Sequence, residues 1–154
     1  MRLRQLAADD SGNAIVEFVF VALVVLVPLI YLIVTVAVLQ RARLATTNAA
    51  RDVGRAIATA DDAAQADTRA QAALRIALAN QGLSPSDVQL RYVAADADCV
   101  NGPDLAPQLV AGGQFQVCVI RHQALPAVPT VLAGRGVVTI GRYLVHLDDY
   151  RTFR

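Results

Sequence analysis

The hydrophobic rhythm of this chain changes along its length. Residues 18–39 read FVFVALVVLVPLIYLIVTVAVL, twenty-two positions without a charge. As a helix such a run measures roughly 33 Å, against a hydrocarbon core of about 30 Å, so it predicts a single membrane crossing. Pro28 lies inside it. Proline is tolerated in membrane helices, where neighbouring helices and local adjustments satisfy the freed carbonyl, and it predicts a modest kink. Residues 40–60 are rich in Ala, Arg and Thr and continue the helix beyond the membrane, with Leu44, Val53 and Ile57 as the larger apolar positions. Ala50, Gly54 and Ala58 fall at i, i+4 and i+8, a small-residue seam that would admit another helix closely.

Asp61-Asp62 interrupts this helix and caps a second one over residues 63–81, with Ala66, Ala70, Ala73, Leu74, Ala77 and Leu78 as its apolar stripe. Gly82 ends it and Pro85 stands just beyond. From Val88 the period drops to two. Residues 88–93, 114–120 and 136–147 alternate as half-buried strands. Between them lie a polar loop over residues 96–113, which holds Cys99, and a loop marked by Pro126 and Pro129. The expected fold class is α+β: a long apolar helix continuing outside the membrane, a second helix, and a small antiparallel sheet of about three strands packed on that second helix.

Composition narrows the functions available. The chain has 154 residues, 14 basic against 13 acidic, and a net charge of +1. Every basic residue is Arg, and Glu17 is the only glutamate. With no Lys/Arg cluster longer than a pair and 5% aromatics, there is neither an electrostatic track nor a stacking platform for nucleic acid. Two cysteines cannot build a zinc ribbon or an iron–sulfur cage, and His122 and His146 have no metal-ligand or nucleophile spacing to a second group. No metal, cofactor or catalytic residue is predicted. Asp148-Asp149 with Arg151 and Arg154 reads as a solvated tail.

Alternatives to a membrane anchor are a cleaved secretory signal and a buried core helix. A signal's apolar region is about 7 to 15 residues long with a small-residue cleavage site after it, whereas this run ends in Gln40-Arg41-Ala42-Arg43. A single domain of this size has too little other apolar surface to wrap an all-round apolar helix. The flanking charges leave orientation open: Arg2 and Arg4 precede the run, while Arg41, Arg43, Arg51 and Arg55 follow it. Cys99 and Cys118 decide it if they form one disulfide, because that bond persists in an oxidising compartment and places the C-terminal part outside the cytoplasm. Two unrelated buried thiols are the alternative.

Just before the oily run stands Gly12-Asn13-Ala14-Ile15-Val16-Glu17-Phe18. A carboxylate at the mouth of a membrane helix gains nothing from lipid and needs a partner or a purpose. It is either a first-turn acid favoured by the helix dipole, with Ser11 or Asn13 as N-cap, or part of a motif. A glycine, four residues, then Glu-Phe at the start of a long apolar helix resembles the processing site of type IV prepilins. Together with Asn48-Ala49-Ala50-Arg51-Asp52-Val53-Gly54-Arg55-Ala56, it is similar to the TadE-type minor pseudopilins of tight adherence (Tad/Flp) pilus systems, over roughly residues 11–60.

That resemblance implies a leader of residues 1–12, cut by a prepilin peptidase between Gly12 and Asn13, a transmembrane and extended helix over residues 13–60, and an extracytoplasmic α+β head over residues 61–154. Glu17, with Phe18 beside it, would set register against the new amino terminus of a neighbouring subunit. The implied partners are the prepilin peptidase, pilus platform membrane proteins, a sister minor pilin, the major Flp pilin and the lipid bilayer. The implied location is the inner membrane, N-terminus cytoplasmic. The competing expectation is an uncleaved single-pass anchor carrying a binding or regulatory head, for which Gly12 and Glu17 are coincidental.

Overall fold

A computed structural model describes residues 10–107, 109–126, 128, 131 and 136–150. In chain order these form α1 (Asp10–Ala58), α2 (Ala63–Ala79), a 3-10 turn (Pro85–Asp87), β1 (Val88–Ala94), β2 (Gln114–Gln123) and β3 (Val137–His146). They divide into two compact units, one ending at Ala37 and the other beginning at Val38. The fold class is α+β, as the periodicity predicts. Arg2, Arg4, most of the expected leader, Pro129, Arg151 and Arg154 lie outside the described residues.

The described part of the first unit is helix alone, and Pro28 lies within it. Every side chain from residue 14 to residue 34 is exposed, and the apolar window is 0% buried inside the chain. The core helix of a soluble domain would bury that surface, so the burial removes this alternative. An all-round apolar helix left open in this way needs lipid or other helices around it. It fits a single-pass membrane anchor.

In the second unit α2 is closed at both ends. Asp62 accepts a hydrogen bond from the Gln65 backbone N–H at 2.7 Å, and the Gln65 side-chain oxygen accepts from the Asp61 N–H at 2.9 Å. At the other end the Leu83 N–H reaches the Leu78 carbonyl at 2.9 Å and the Gly82 N–H reaches that of Ala79 at 3.0 Å. Gly82 has φ +67°, the left-handed turn that such a closure requires.

The sheet has the order β1-β2-β3, antiparallel throughout. Its register sets Tyr92, Val117 and Tyr143 abreast on one face and Arg91, Cys118 and Arg142 abreast on the other. The first face carries the main core, where Phe115, Val117, Val119 and Val145 meet residues of both helices, among them Val53 and Ile57 of α1 and Leu74 and Leu78 of α2. The periodicity places the sheet on α2 alone, whereas the core takes in α1 as well. The inward face of α1 is built from Ala42, Ala45, Thr46, Ala49, Ala50, Val53 and Gly54, mostly small side chains that carry a weak hydrophobic signal. Such a face buries surface by close approach of backbone rather than by side-chain bulk. A Cβ placed on Gly141 of β3 would lie 2.0 Å from the Thr46 carbonyl oxygen, which shows how near strand and helix come. Thr46 is itself fully buried, and its hydroxyl donates to the Ala42 and Arg43 carbonyls at 3.1 Å each. Its polarity therefore costs little.

Candidate functional site

The N-terminal helix holds the residues singled out for processing and assembly. Gly12 and Asn13 fall in the first turn of α1, and Glu17 stands on the same helix, exposed between Val16 and Phe18, which are 67% and 73% exposed. Among the described residues, Glu17 has no hydrogen-bond or ion-pair partner. An acid amid this much uncovered apolar surface finds its counter-charge outside the chain or stays in the interfacial water.

Ala50 and Gly54 of the small-residue seam are buried and Ala58 is partly so. What covers them within the chain is a strand rather than a helix. A Cβ on Gly54 would meet the Tyr143 ring at 2.3 Å and Val145 at 3.0 Å. The same absence of side-chain bulk that suits helix–helix contact here admits β3.

The model for TadE-like proteins matches residues 12–55. This segment is TadE-like. No curated protein and no solved structure matches the chain significantly. The TadE-like segment begins at Gly12, carries Glu17 and the apolar run, and ends one residue beyond Gly54, so it takes in the inner face of α1 but neither α2 nor the sheet.

Downstream of the TadE-like segment, Cys99 and Cys118 are bonded, with Cα atoms 5.7 Å apart. Both are fully buried and pack with Val93 on the sheet face opposite the helices. The bond ties the loop between β1 and β2 to the central strand. A second fastening of that loop carries no sequence motif. The Arg91 guanidinium donates to Asp104 at 2.7 Å and to the carbonyls of Cys99, Val100 and Gly102 at 2.9, 2.7 and 2.8 Å. Only the alternation of β1, which sends Arg91 to the face away from the helices, hinted at it. Asp98 closes the loop's turn by accepting from the backbone N–H groups of Val100 and Asn101, both at 2.9 Å. The Asn101 and Val100 backbone donors hold its carboxyl below the usual range, with Arg142 adding to the effect.

His122 and His146 are exposed strand residues, and Asp148 and Asp149 are exposed beyond β3. Among the described residues no three His, Cys, Asp or Glu side chains group to hold a metal. A cavity of about 190 Å³ is lined by Tyr92 and Asp67 with Ile57, Ala63 and Ala66. Burial, helped by the Asp67 charge, pushes the Tyr92 hydroxyl from 10.0 up to about 12. The neutral phenol is thus the form that the fold favours. Stability from this group is fully present below pH 10.0 and is lost as pH rises toward about 12, because the unfolded chain releases the proton first. Unfolding measured across that range should show the loss in the parent chain and a flatter profile in Tyr92→Phe; identical profiles would contradict the assignment.

Proposed function

We propose that this chain is a non-catalytic minor pilin or pseudopilin of a Tad/Flp-type pilus. It is made as a single-pass inner-membrane precursor with its N-terminus in the cytoplasm and its head outside. A prepilin peptidase cuts it between Gly12 and Asn13, and α1 then exchanges lipid for the helices of a sister minor pilin and the major pilin, delivered by platform membrane proteins. The observation that carries this reading is the match that begins at Gly12 and runs through an apolar stretch of α1 exposed at every position from residue 14 to residue 34. The disulfide supports an oxidising location for the head.

In this reading the Glu17 carboxylate pairs with the new amine at Asn13 of a neighbouring subunit. Opposite charges brought together in a low-dielectric setting offset each other's desolvation, and removing one leaves the other exposed to the full penalty. Glu17→Ala should leave the chain anchored in membranes while its incorporation into pilus assemblies falls roughly a hundredfold. Co-purification with the major pilin measures it. Normal incorporation of Glu17→Ala would favour the uncleaved anchor with a binding head.

A further inference from the structure

A pocket of about 210 Å³ opens in the second unit where α1, the turn after α2 and the end of β2 come together. Its apolar wall is Val38, Ala42 and Ala45 of α1 with Leu83 opposite, and its cations are Arg41 and Arg121. The volume is far above the ~10–15 Å³ that one water needs. Arg121 donates to the Gln123 side-chain oxygen, yet its buried Nε has no hydrogen-bond partner. Among the described residues neither Arg41 nor Arg121 is paired with a carboxylate, while Arg91 and Arg142 are paired with Asp104 and Asp98. A buried guanidinium N–H left unmatched is costly, and a second guanidinium on the same pocket repels the first. An anion bound between them would relieve both costs.

The wall says which anion. Val38 belongs to the uncharged run itself, and Arg41 stands two residues past its last member, Leu39. The pocket therefore combines a cationic end with an apolar side at the level where the helix leaves the oily stretch. An amphiphile with a phosphate head fits both parts: the planar Arg forks take the phosphate oxygens, and the apolar wall takes the glycerol and the start of the acyl chains. We infer that this pocket binds the phosphate of an anionic phospholipid at headgroup depth, fixing the head against the membrane surface until assembly draws the helix out. The inference rests on the reading that residues 18–39 cross a bilayer.

The test uses the full chain reconstituted in vesicles of equal parts phosphatidylglycerol and phosphatidylcholine. Gentle detergent extraction followed by native mass spectrometry counts the lipid retained. Phosphatidylglycerol should be retained over phosphatidylcholine, and Arg41→Gln and Arg121→Gln should each cut that preference about fivefold. Arg41 is exposed on a helix, so Arg41→Gln remains informative even if Arg121→Gln disturbs folding. Alkaline extraction of the same vesicles separates the two ideas. A chain released by alkali sinks the anchor and the lipid pocket together. A chain that stays inserted but shows no lipid preference, or keeps its preference in both variants, overturns the pocket alone. Displacement of phosphatidylglycerol by inorganic phosphate would make this a free-anion site and overturn the lipid assignment.

Discussion

Gly141→Ala should destabilise the head by about 3 kcal/mol or more, at the upper end of what single substitutions do. A Cβ at this position would lie 2.0 Å from the Thr46 carbonyl oxygen, 2.1 Å from its carbon and 2.5 Å from the Thr47 nitrogen. All three are backbone atoms within a helix, so relief requires α1 to move off β3 rather than one side chain to turn. That movement would loosen the contacts of Ala49, Ala50 and Val53 with the sheet. Two other glycines provide the scale. At Gly54 the obstacle is the Tyr143 ring at 2.3 Å, a half-buried side chain able to swing away, so Gly54→Ala should cost less. At Gly82 a Cβ meets nothing within 4 Å, and only the left-handed φ of +67° resists substitution, for about 1 kcal/mol. Urea unfolding of the three variants, in detergent and followed by circular dichroism, should rank them Gly141, Gly54, Gly82 from most to least damaging. A Gly141→Ala chain within about 0.5 kcal/mol of the parent would mean that helix and strand are not in this close contact.

The second large effect belongs to the disulfide. Cys99 and Cys118 are 19 residues apart in sequence, and closing a loop of that length removes unfolded-state entropy worth about 3 kcal/mol. The second compact unit, which begins at Val38, holds the sheet and the bond, and a loss of that size is a large share of the stability of a domain this small. Replacing both cysteines by alanine, or reducing the bond, should lower the unfolding midpoint accordingly. The loop should stay partly in place in the reduced chain, because Arg91 still holds it through Asp104 and three backbone carbonyls. Combining Arg91→Ala with the double alanine variant should therefore cost more than the separate effects added together, since each fastening covers for the other. Strict additivity would show that they act on different parts of the head.

The elements themselves were legible because each has its own period. The uncharged run, the alanine stripe of α2 between Asp62 and Gly82, and the alternation from Val88, Gln114 and Gly136 each announce a structure without tertiary help. What the sequence left hidden depends on register and on nearness. Gly141 reads as an ordinary break in a strand pattern until β3 is aligned with β2 and laid against Thr46. The alanines of residues 42–50 look like a spacer because small side chains contribute little to a hydrophobic count, yet they let the helix share the core with α2. The seam at Ala50, Gly54 and Ala58 showed that something approaches closely, but a lack of bulk does not distinguish a helix from a strand. Arg41 and Arg121 are eighty positions apart in the chain, so no local pattern joins them. For the site the reverse holds. Gly12 and Glu17 are singled out by the resemblance of their spacing to that of type IV prepilins, and the fold adds that Glu17 has no partner of its own among the described residues.

Processing at Gly12 is the claim on which the pilus reading turns. The most direct measurement is the mass and N-terminal sequence of the protein purified from membranes of its native host, beside a Gly12→Ala control. Cleavage after Gly12 predicts an N-terminus at Asn13 in the parent chain and its loss in the control; an intact leader in both would contradict it.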